Sequence, residues 1–346
     1  MNDKLRQDRP PTINDVADRA GVSIKTVSRV LNSEPNVREA TRQKVLAAAR
    51  ALDYFPNPAA RRLAGRRSYL IALAYDNPSP SYLADLISGI LDVCRKGGYF
   101  LALHGCSFED EDLARDMVQA VRESRVDGLI LSPPVGDVSG LCPTLDAAGI
   151  RYARLAPTGD GQGAGVAIDD RQAAFDMTAY LLDLGHRRIG FIAGHPGHGA
   201  SRAREAGYRA ALGQYGVPCD PELMREGLFT RESGMQAARA LLRLPVPPTA
   251  IFASNDDMAA GAIQEAALRG LRVPEDLSVA GFDDTPVASM ISPRLTTVSQ
   301  PVRAMGRRAT ELLLATLADD GSVKAGQVDR LDYRLVVRQS TTAPRI

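Results

Sequence analysis

The chain has little of what marks membranes, secretion or metal chemistry. No apolar run approaches the roughly 18 residues that a bilayer span needs. Apolar residues still make up 45% of the 346 positions, enough for ordinary soluble cores. The N-terminus, MNDKLRQDRPPTIND, is charged and has no apolar signal core, which predicts a cytoplasmic protein. Cys94, Cys106, Cys142 and Cys219 are scattered, with no CxxC pair. Free thiols in a reducing compartment are therefore expected, rather than disulfides or a metal site. His195 and His198 sit three apart near glycines, but no third ligand is within sequence reach, so neither metal nor cofactor is expected. There is no P-loop, no HExxH and no GxSxG, and the stretch GDGQGAG is not a GxGxxG set between a strand and a phosphate-binding helix. These absences argue against an enzyme.

What is present is an uneven distribution of charge. The length predicts two or three domains. Residues 1–67 carry 14 lysines and arginines against 7 acids, while the remainder carries 28 against 34. A basic head on a mildly acidic body points to a polyanionic partner, provided that the head folds.

The head has the local signals of a fold. In PTINDVADRAG, Thr12 followed by Asp15 has the spacing of a capping box. Ile13, Val16, Ala17 and Ala20 share a helical face, and Gly21 falls where a helix ends in a left-handed residue. Ser23 can cap a second helix, Ile24 to Leu31, after a turn of about three residues, the spacing of a helix-turn-helix. A third amphipathic run, REATRQKVLAAARALDY, turns Val45, Leu46, Ala49 and Leu52 inward, with Arg38 as a poor N-cap. The wet face of the second helix carries Ser23, Ile24, Lys25, Thr26, Ser28 and Arg29 and no acid. An ordinary solvated face mixes signs. A helix in a major groove instead needs base-edge donors near its N-terminus and cations or hydroxyls for the surrounding phosphates. Lys25 and Arg29 can both donate to guanine O6 and N7.

After the third helix comes YFPNPAARRLAGRRS. Asn57 can cap, Pro58 fits the first helical position and Gly65 the end. A helix of about seven residues is too short to persist alone in water. Its one large apolar residue, Leu63, is flanked by Arg61, Arg62, Arg66 and Arg67, a composition suited to wedging a base step in a minor groove. A plain interdomain linker, with the leucine packed on a neighbour, is the other reading.

These stretches, together with GHRRIGFIAG, REAGYRAAL, FASNDDMAAGAI and SVAGFDDTPVASMISPRLTTVSQP, resemble the LacI/GalR family of bacterial transcription regulators over nearly the whole chain. The resemblance implies a helix-turn-helix headpiece (1–56), a DNA-dependent hinge helix (57–67) and a dimerising, periplasmic-binding-protein-like core (68–346). It places Ser23, Ile24, Lys25 and Arg29 at base-reading positions and Leu63 at the intercalating one. Thr12, Thr26, Ser28, Asn32, Asn57, Ala60 and Arg61 complete the candidate DNA-contacting set.

From residue 68 onward, apolar runs such as YLIALAY, YFLALHG, VDGLILS, RIGFIAG, PTAIFAS and LSVAGFDD alternate with amphipathic stretches. This βα rhythm predicts parallel, doubly wound sheets in two similar α/β lobes. A glycine-rich break at Pro157 to Gly165 separates them. The lobes are expected at about 68–160 with 294–325, and 161–293 with 326–346; the late crossings are implied by the resemblance. Ligands in open α/β sheets bind beyond the carboxyl ends of the strands. Those ends carry Asp76 and Asn77, Ser132 and Pro133, His195, Asn255 and Asp256, and Phe282 and Asp283, with Arg202 and Arg204 opening the helix after His195. Such a set can grip a polyol by paired hydrogen bonds, with Phe282 or Tyr82 stacked on a ring. The resemblance assigns effector contacts to Arg202 or Arg204, Asn255 and Asp283. Asn255 and Asp256 could equally be helix caps and Asp283 a turn residue. Many relatives end the strand at 151–155 with a carboxylate, where this chain has Ala156 with Arg154 nearby, so the first lobe either recognises its ligand differently or takes one with its own negative charge.

The expectation is a cytoplasmic homodimeric repressor, nucleoid-associated when bound to pseudo-palindromic double-stranded operator DNA and controlled by a small effector of sugar type. The chain shows no C-terminal leucine heptad, and so no device for a tetramer. A solute-binding protein of a transport system is the alternative; it would explain the lobes but not the basic head.

Overall fold

Capping chemistry sets the first helices. The Thr12 backbone N–H and hydroxyl both donate to the Asp15 carboxylate, at 2.8 and 2.7 Å, and start α1 (Ile13–Ala20). Gly21 ends it at φ +62, a conformation that side-chain-bearing residues adopt only at a cost. The Ser23 hydroxyl accepts from the Thr26 N–H at 3.2 Å and caps α2 (Ile24–Leu31). At α3 (Glu39–Ala51) the N-cap is Arg38, which makes no side-chain cap bond. Val16, Ala17, Val27, Val30, Val45, Ala48 and Ala49 form the small core that these three helices share.

The computed structural model describes residues 11–31, 37–54, 67–158, 161–319 and 321–345. The chain divides into two units, Met1–Tyr69 and Leu70–Ile346. Among the described residues, no helix is long and apolar enough to cross a membrane. Asn32, Asn57, Ala60, Arg61, Leu63 and the expected hinge helix lie outside the described residues.

The second unit holds two six-stranded sheets. The first contains β1 (Leu70–Tyr75), β2 (Phe100–Gly105), β3 (Gly128–Leu131), β4 (Arg151–Leu155), β5 (Ala164–Ala167) and β11 (Val328–Arg330), in the order 11-5-4-3-1-2 and all parallel. The second contains β6 (Ile189–Ala193), β7 (Met224–Glu226), β8 (Ala250–Ala253), β9 (Ser278–Asp283), β10 (Thr296–Ser299) and β12 (Arg334–Val336), in the order 12-10-9-8-6-7. Its one antiparallel pair is β10 with β12. β3, β5, β8 and β9 are buried throughout, as parallel strands covered on both faces must be.

The lobe boundaries differ from those expected. β5 follows the glycine-rich break yet pairs with β4, so the first lobe runs on to residue 167. β10 pairs with β9 and belongs to the second lobe, not the first. The helix Val302–Ala318 then returns to pack on the helix Pro80–Gly97 and on β4 and β5. Gly89 permits that packing: a Cβ there would lie 2.1 Å from the Arg303 carbonyl oxygen. β11 stays in the first sheet and only β12 reaches the second, so the segment DRLDYRLVVRQS is divided between lobes. A glycine-rich break marks a turn, but it cannot tell which sheet receives the next short apolar run.

Candidate DNA-reading face and ligand cleft

In the first unit, Val27 and Val30 turn into the core, and the opposite face of α2 is left outward. Ser23, Lys25 and Arg29 are exposed, Thr26 and Ser28 half-buried, and Ile24 is 49% exposed, unusual for an isoleucine inside a folded unit. The Ser23 and Thr26 hydroxyls lie 2.9 Å apart at the start of the helix. Thr12 is committed to Asp15. The helix thus presents cations, hydroxyls and an apolar tip with no acid in its first turn. That combination can address phosphates, base edges and a thymine methyl.

In the second unit, a cleft opens at the carboxyl ends of both sheets. Each sheet reverses its strand order there, β1 beside β3 and β6 beside β8, the switch points where α/β folds bind ligands. The first lobe contributes Asn77, Ser79, Tyr82, Pro133 and Ala156 to the lining. The second contributes Asp170, His198, Arg204, Phe229, Asn255 and Asp283, with Gln300 at the crossover.

Arg204 organises the wall. Its Nε donates to Asp170 Oδ1 at 2.8 Å and its Nη1 to the Ser254 carbonyl; Nη1 also lies 3.8 Å from Asp283 Oδ1. The guanidinium rests 3.7 Å above the Phe282 ring, a cation–π contact made strong by burial. Gln300 Nε2 donates to Asp283 Oδ1 at 2.7 Å. Behind this layer, Asp256 is wholly buried and accepts from the Thr285 N–H at 2.7 Å and the Thr297 hydroxyl at 2.6 Å.

Burial dominates the titration of these groups. It raises Asp283 to about 7, against the pull of Arg204. Burial also raises Asp170, again opposed by Arg204, and raises Asp256 well above the usual carboxylate range, with Asp283 adding to it. His198 is pushed down to about 4, first by burial and then by His195 and the arginines.

The lobes meet across the cleft. Ser79 Oγ, at the N-cap of the helix Pro80–Gly97, donates to Asp257 Oδ2 of the second lobe at 2.7 Å. Phe108 of the first lobe stands edge-on to His195 and His198, with centroids at 5.1 and 5.5 Å. Glu109 lies 3.6 Å from His195 Nε2.

Of the candidate effector residues, Tyr82, Arg204, Asn255 and Asp283 line this cleft. The other four lie outside that lining. Asp76 accepts from the Phe108 N–H, Ser132 is fully buried at the end of β3, and Phe282 lies beneath Arg204, covered on its ring face. Arg202 turns into a separate hollow and donates to the Pro196 carbonyl at 2.9 Å. Arg204 and Arg202 are two residues apart on one helix, so they point in different directions. Asn255 is a helix cap, accepting from the Met258 N–H at 2.9 Å while donating to the Phe229 carbonyl. Arg154 is 2% exposed and donates to the Gly161 carbonyl, away from the cleft lining. Asp170 and Gln300 escaped the sequence reading. Asp170 follows Asp169, whose side chain caps the helix Asp170–Asp183, and it looks like a second first-turn acid.

A three-helix unit with a cationic outward face, joined to a two-lobed α/β core with a charged interlobe cleft, defines a ligand-responsive nucleic-acid-binding protein. Comparison with known proteins makes the class specific. Residues 12–57 match bacterial regulatory proteins of the lacI family, and residues 178–341 match the periplasmic binding protein-like domain. The chain is 34% identical to the HTH-type transcriptional repressor CytR of Escherichia coli K12, covering 98% of both chains. Among solved structures, it is similar to the lac repressor dimer bound to operator and the anti-inducer ONPF, with TM-score 0.80, 30% identity, and coverage of 97% of this chain and 100% of that one. It is also similar to the transcriptional regulator CelR in complex with cellobiose, with TM-score 0.73, 33% identity, and coverage of 95% and 99%. The chain belongs to the LacI family of bacterial transcriptional regulators.

Proposed function

We propose that the chain is a homodimeric repressor that reads a pseudo-palindromic operator through α2 of each protomer and is controlled by a sugar or sugar derivative in the interlobe cleft. The observation that carries this reading is the outward, acid-free face of α2, with Ile24, Lys25 and Arg29 exposed on a folded and capped helix. Two such units on a twofold axis address two half-sites one helical turn apart or a multiple of it. CytR is named a repressor, the lac repressor is described as an operator-bound dimer, and CelR binds cellobiose; these relatives support the dimer, the DNA and the ligand class. A transport role finds no such support. A DNA-bound repressor works in the cytoplasm, at the nucleoid.

Coupling follows from differential binding. A ligand that prefers one lobe arrangement shifts the population toward it, and with it the affinity for DNA. Ser79–Asp257 and the Phe108–histidine contacts exist only when the lobes are together, so they define one of the two arrangements. The segment with Asn57, Ala60, Arg61 and Leu63 completes the proposal as a further set of DNA contacts.

The experiment is a titration of duplex promoter DNA at several salt concentrations. Affinity should fall with a log–log slope of about −0.9 for each phosphate neutralised. Binding that is absent, or insensitive to salt, defeats the proposal.

A further inference from the structure

A second hollow, of about 360 Å³, opens between the helix Gly199–Gln214 and the edge strand β7. It shares no lining residue with the interlobe cleft. The helix contributes Ser201, Arg202, Glu205 and Arg209, and β7 contributes Arg225 and Glu226. Three guanidiniums against two carboxylates leave an excess of positive charge. Glu205 is committed to Arg209, whose Nε donates to it at 2.8 Å. Glu226 is exposed, so water and salt screen it. Arg202 and Arg225 have no carboxylate partner among the described residues. Each uses one amino nitrogen on a carbonyl, Arg202 on Pro196 at 2.9 Å and Arg225 on Met224 at 2.8 Å, and leaves the rest of its fork unengaged.

Ser201 supplies an independent sign. It is 3% exposed and borders the hollow, yet its hydroxyl makes no hydrogen bond among the described residues. A buried hydroxyl is ordinarily paired, so this one points to a partner that enters from outside. The first turn of the 16-residue helix adds the partial positive charge of its backbone N–H groups.

We propose that this hollow binds the phosphate group of a small phosphate monoester, apart from the effector cleft. Arg202 and Arg225 hold the phosphoryl oxygens from two different elements, and the Ser201 hydroxyl donates to the same group. Planar forks with free nitrogens match an oxyanion, whereas a neutral ligand leaves both charges unanswered. Ala193, Pro196 and Met224 line the remainder and give apolar surface to the carbon part of an ester. The volume is near the lower end of the roughly 300–1,000 Å³ of small-molecule sites, which restricts that part to a few carbons.

The test compares melting temperatures of the full chain in chloride, in inorganic phosphate and in glycerol phosphate at equal ionic strength. The parent is set beside the double variant Arg202→Gln with Arg225→Gln, and beside Arg243→Gln, which removes an exposed arginine outside the hollow. Phosphate bound at the DNA-reading unit or in the cleft is common to all three and cancels. Glycerol phosphate should raise the parent by roughly 2 °C or more over chloride, as a ligand that binds the native state does. The double variant should lose at least half of that gain and Arg243→Gln none of it. Arg202 is exposed, so Arg202→Gln alone takes the place of the double variant if the latter does not fold. No gain in the parent, equal gains in parent and double variant, a loss as large in Arg243→Gln, or a response to inorganic phosphate alone overturns the proposal.

Discussion

The Ser79 hydroxyl and the Asp257 carboxylate, 178 residues apart in the chain, meet at 2.7 Å across the cleft and join the two lobes. Ser79 is 3% exposed, so water competes poorly for this bond. Ser79→Ala should weaken closure by about 1 kcal/mol, the worth of one such bond. Phe108→Ala, which removes the edge contacts to His195 and His198, should act in the same direction. Spin labels on the two lobes, read by pulsed dipolar spectroscopy, should show a larger share of long distances in both variants. Unchanged distributions would remove these contacts from the switch.

Lys25→Ala and Arg29→Ala should each cost about 1–3 kcal/mol at the cognate operator and much less on random DNA. Both residues are exposed, so stability should stay within about 0.5 kcal/mol. Fluorescence anisotropy on the two DNAs makes the comparison, and equal losses on both would mean that the side chains touch phosphates alone.

Gly21→Ala tests the turn between α1 and α2. Nothing stands within 4 Å of the added Cβ, so any penalty comes from the backbone, at φ +62. A left-handed alanine costs about 1–2 kcal/mol. Hydrogen exchange in residues 13–31 should quicken accordingly, while exchange in the α/β lobes stays as it was.

The pH dependence of stability has a definite sign at Asp283. Burial raises its folded pKa from the ordinary carboxylate range to about 7. The native state thus holds the proton more tightly, and the contribution is fully present below about pH 4 and is lost as pH rises through 7. Asp170 and Asp256 are raised as well and act in the same sense. His198, depressed to about 4, acts oppositely: its contribution is complete above pH 6.5 and is lost as pH falls toward 4. The parent must therefore be compared with Asp283→Asn. The variant should gain on the parent in chemical denaturation between pH 4 and 7; parallel curves would refute the raised pKa.

Short-range chemistry explains what could be read from the residues alone. Thr12 with Asp15, Gly21 with Ala17 and Asp18, and Ser23 with Thr26 each act across no more than four positions, and each does in the fold what its spacing indicates. The βα rhythm likewise located the strand ends, and with them Arg204, Asn255 and Asp283. Pairings over longer stretches of chain were not legible. Asp170 meets Arg204 across 34 residues, Gln300 meets Asp283 across 17, and β5 and β10 sit in sheets that their own composition does not specify. Phe282 shows a further limit: an aromatic at a strand end can face a ligand or support an arginine, and its sequence neighbours are the same in both cases.

The backbone passes from one sheet to the other three times, after β5, after β10 and after β11. Three parallel tethers suppress sliding and twisting and leave bending as the soft coordinate, in the way that a door hung on several pins can only swing. A small molecule that settles between the lobes then works against a single mechanical variable, and its modest binding energy is not dissipated over many independent distortions.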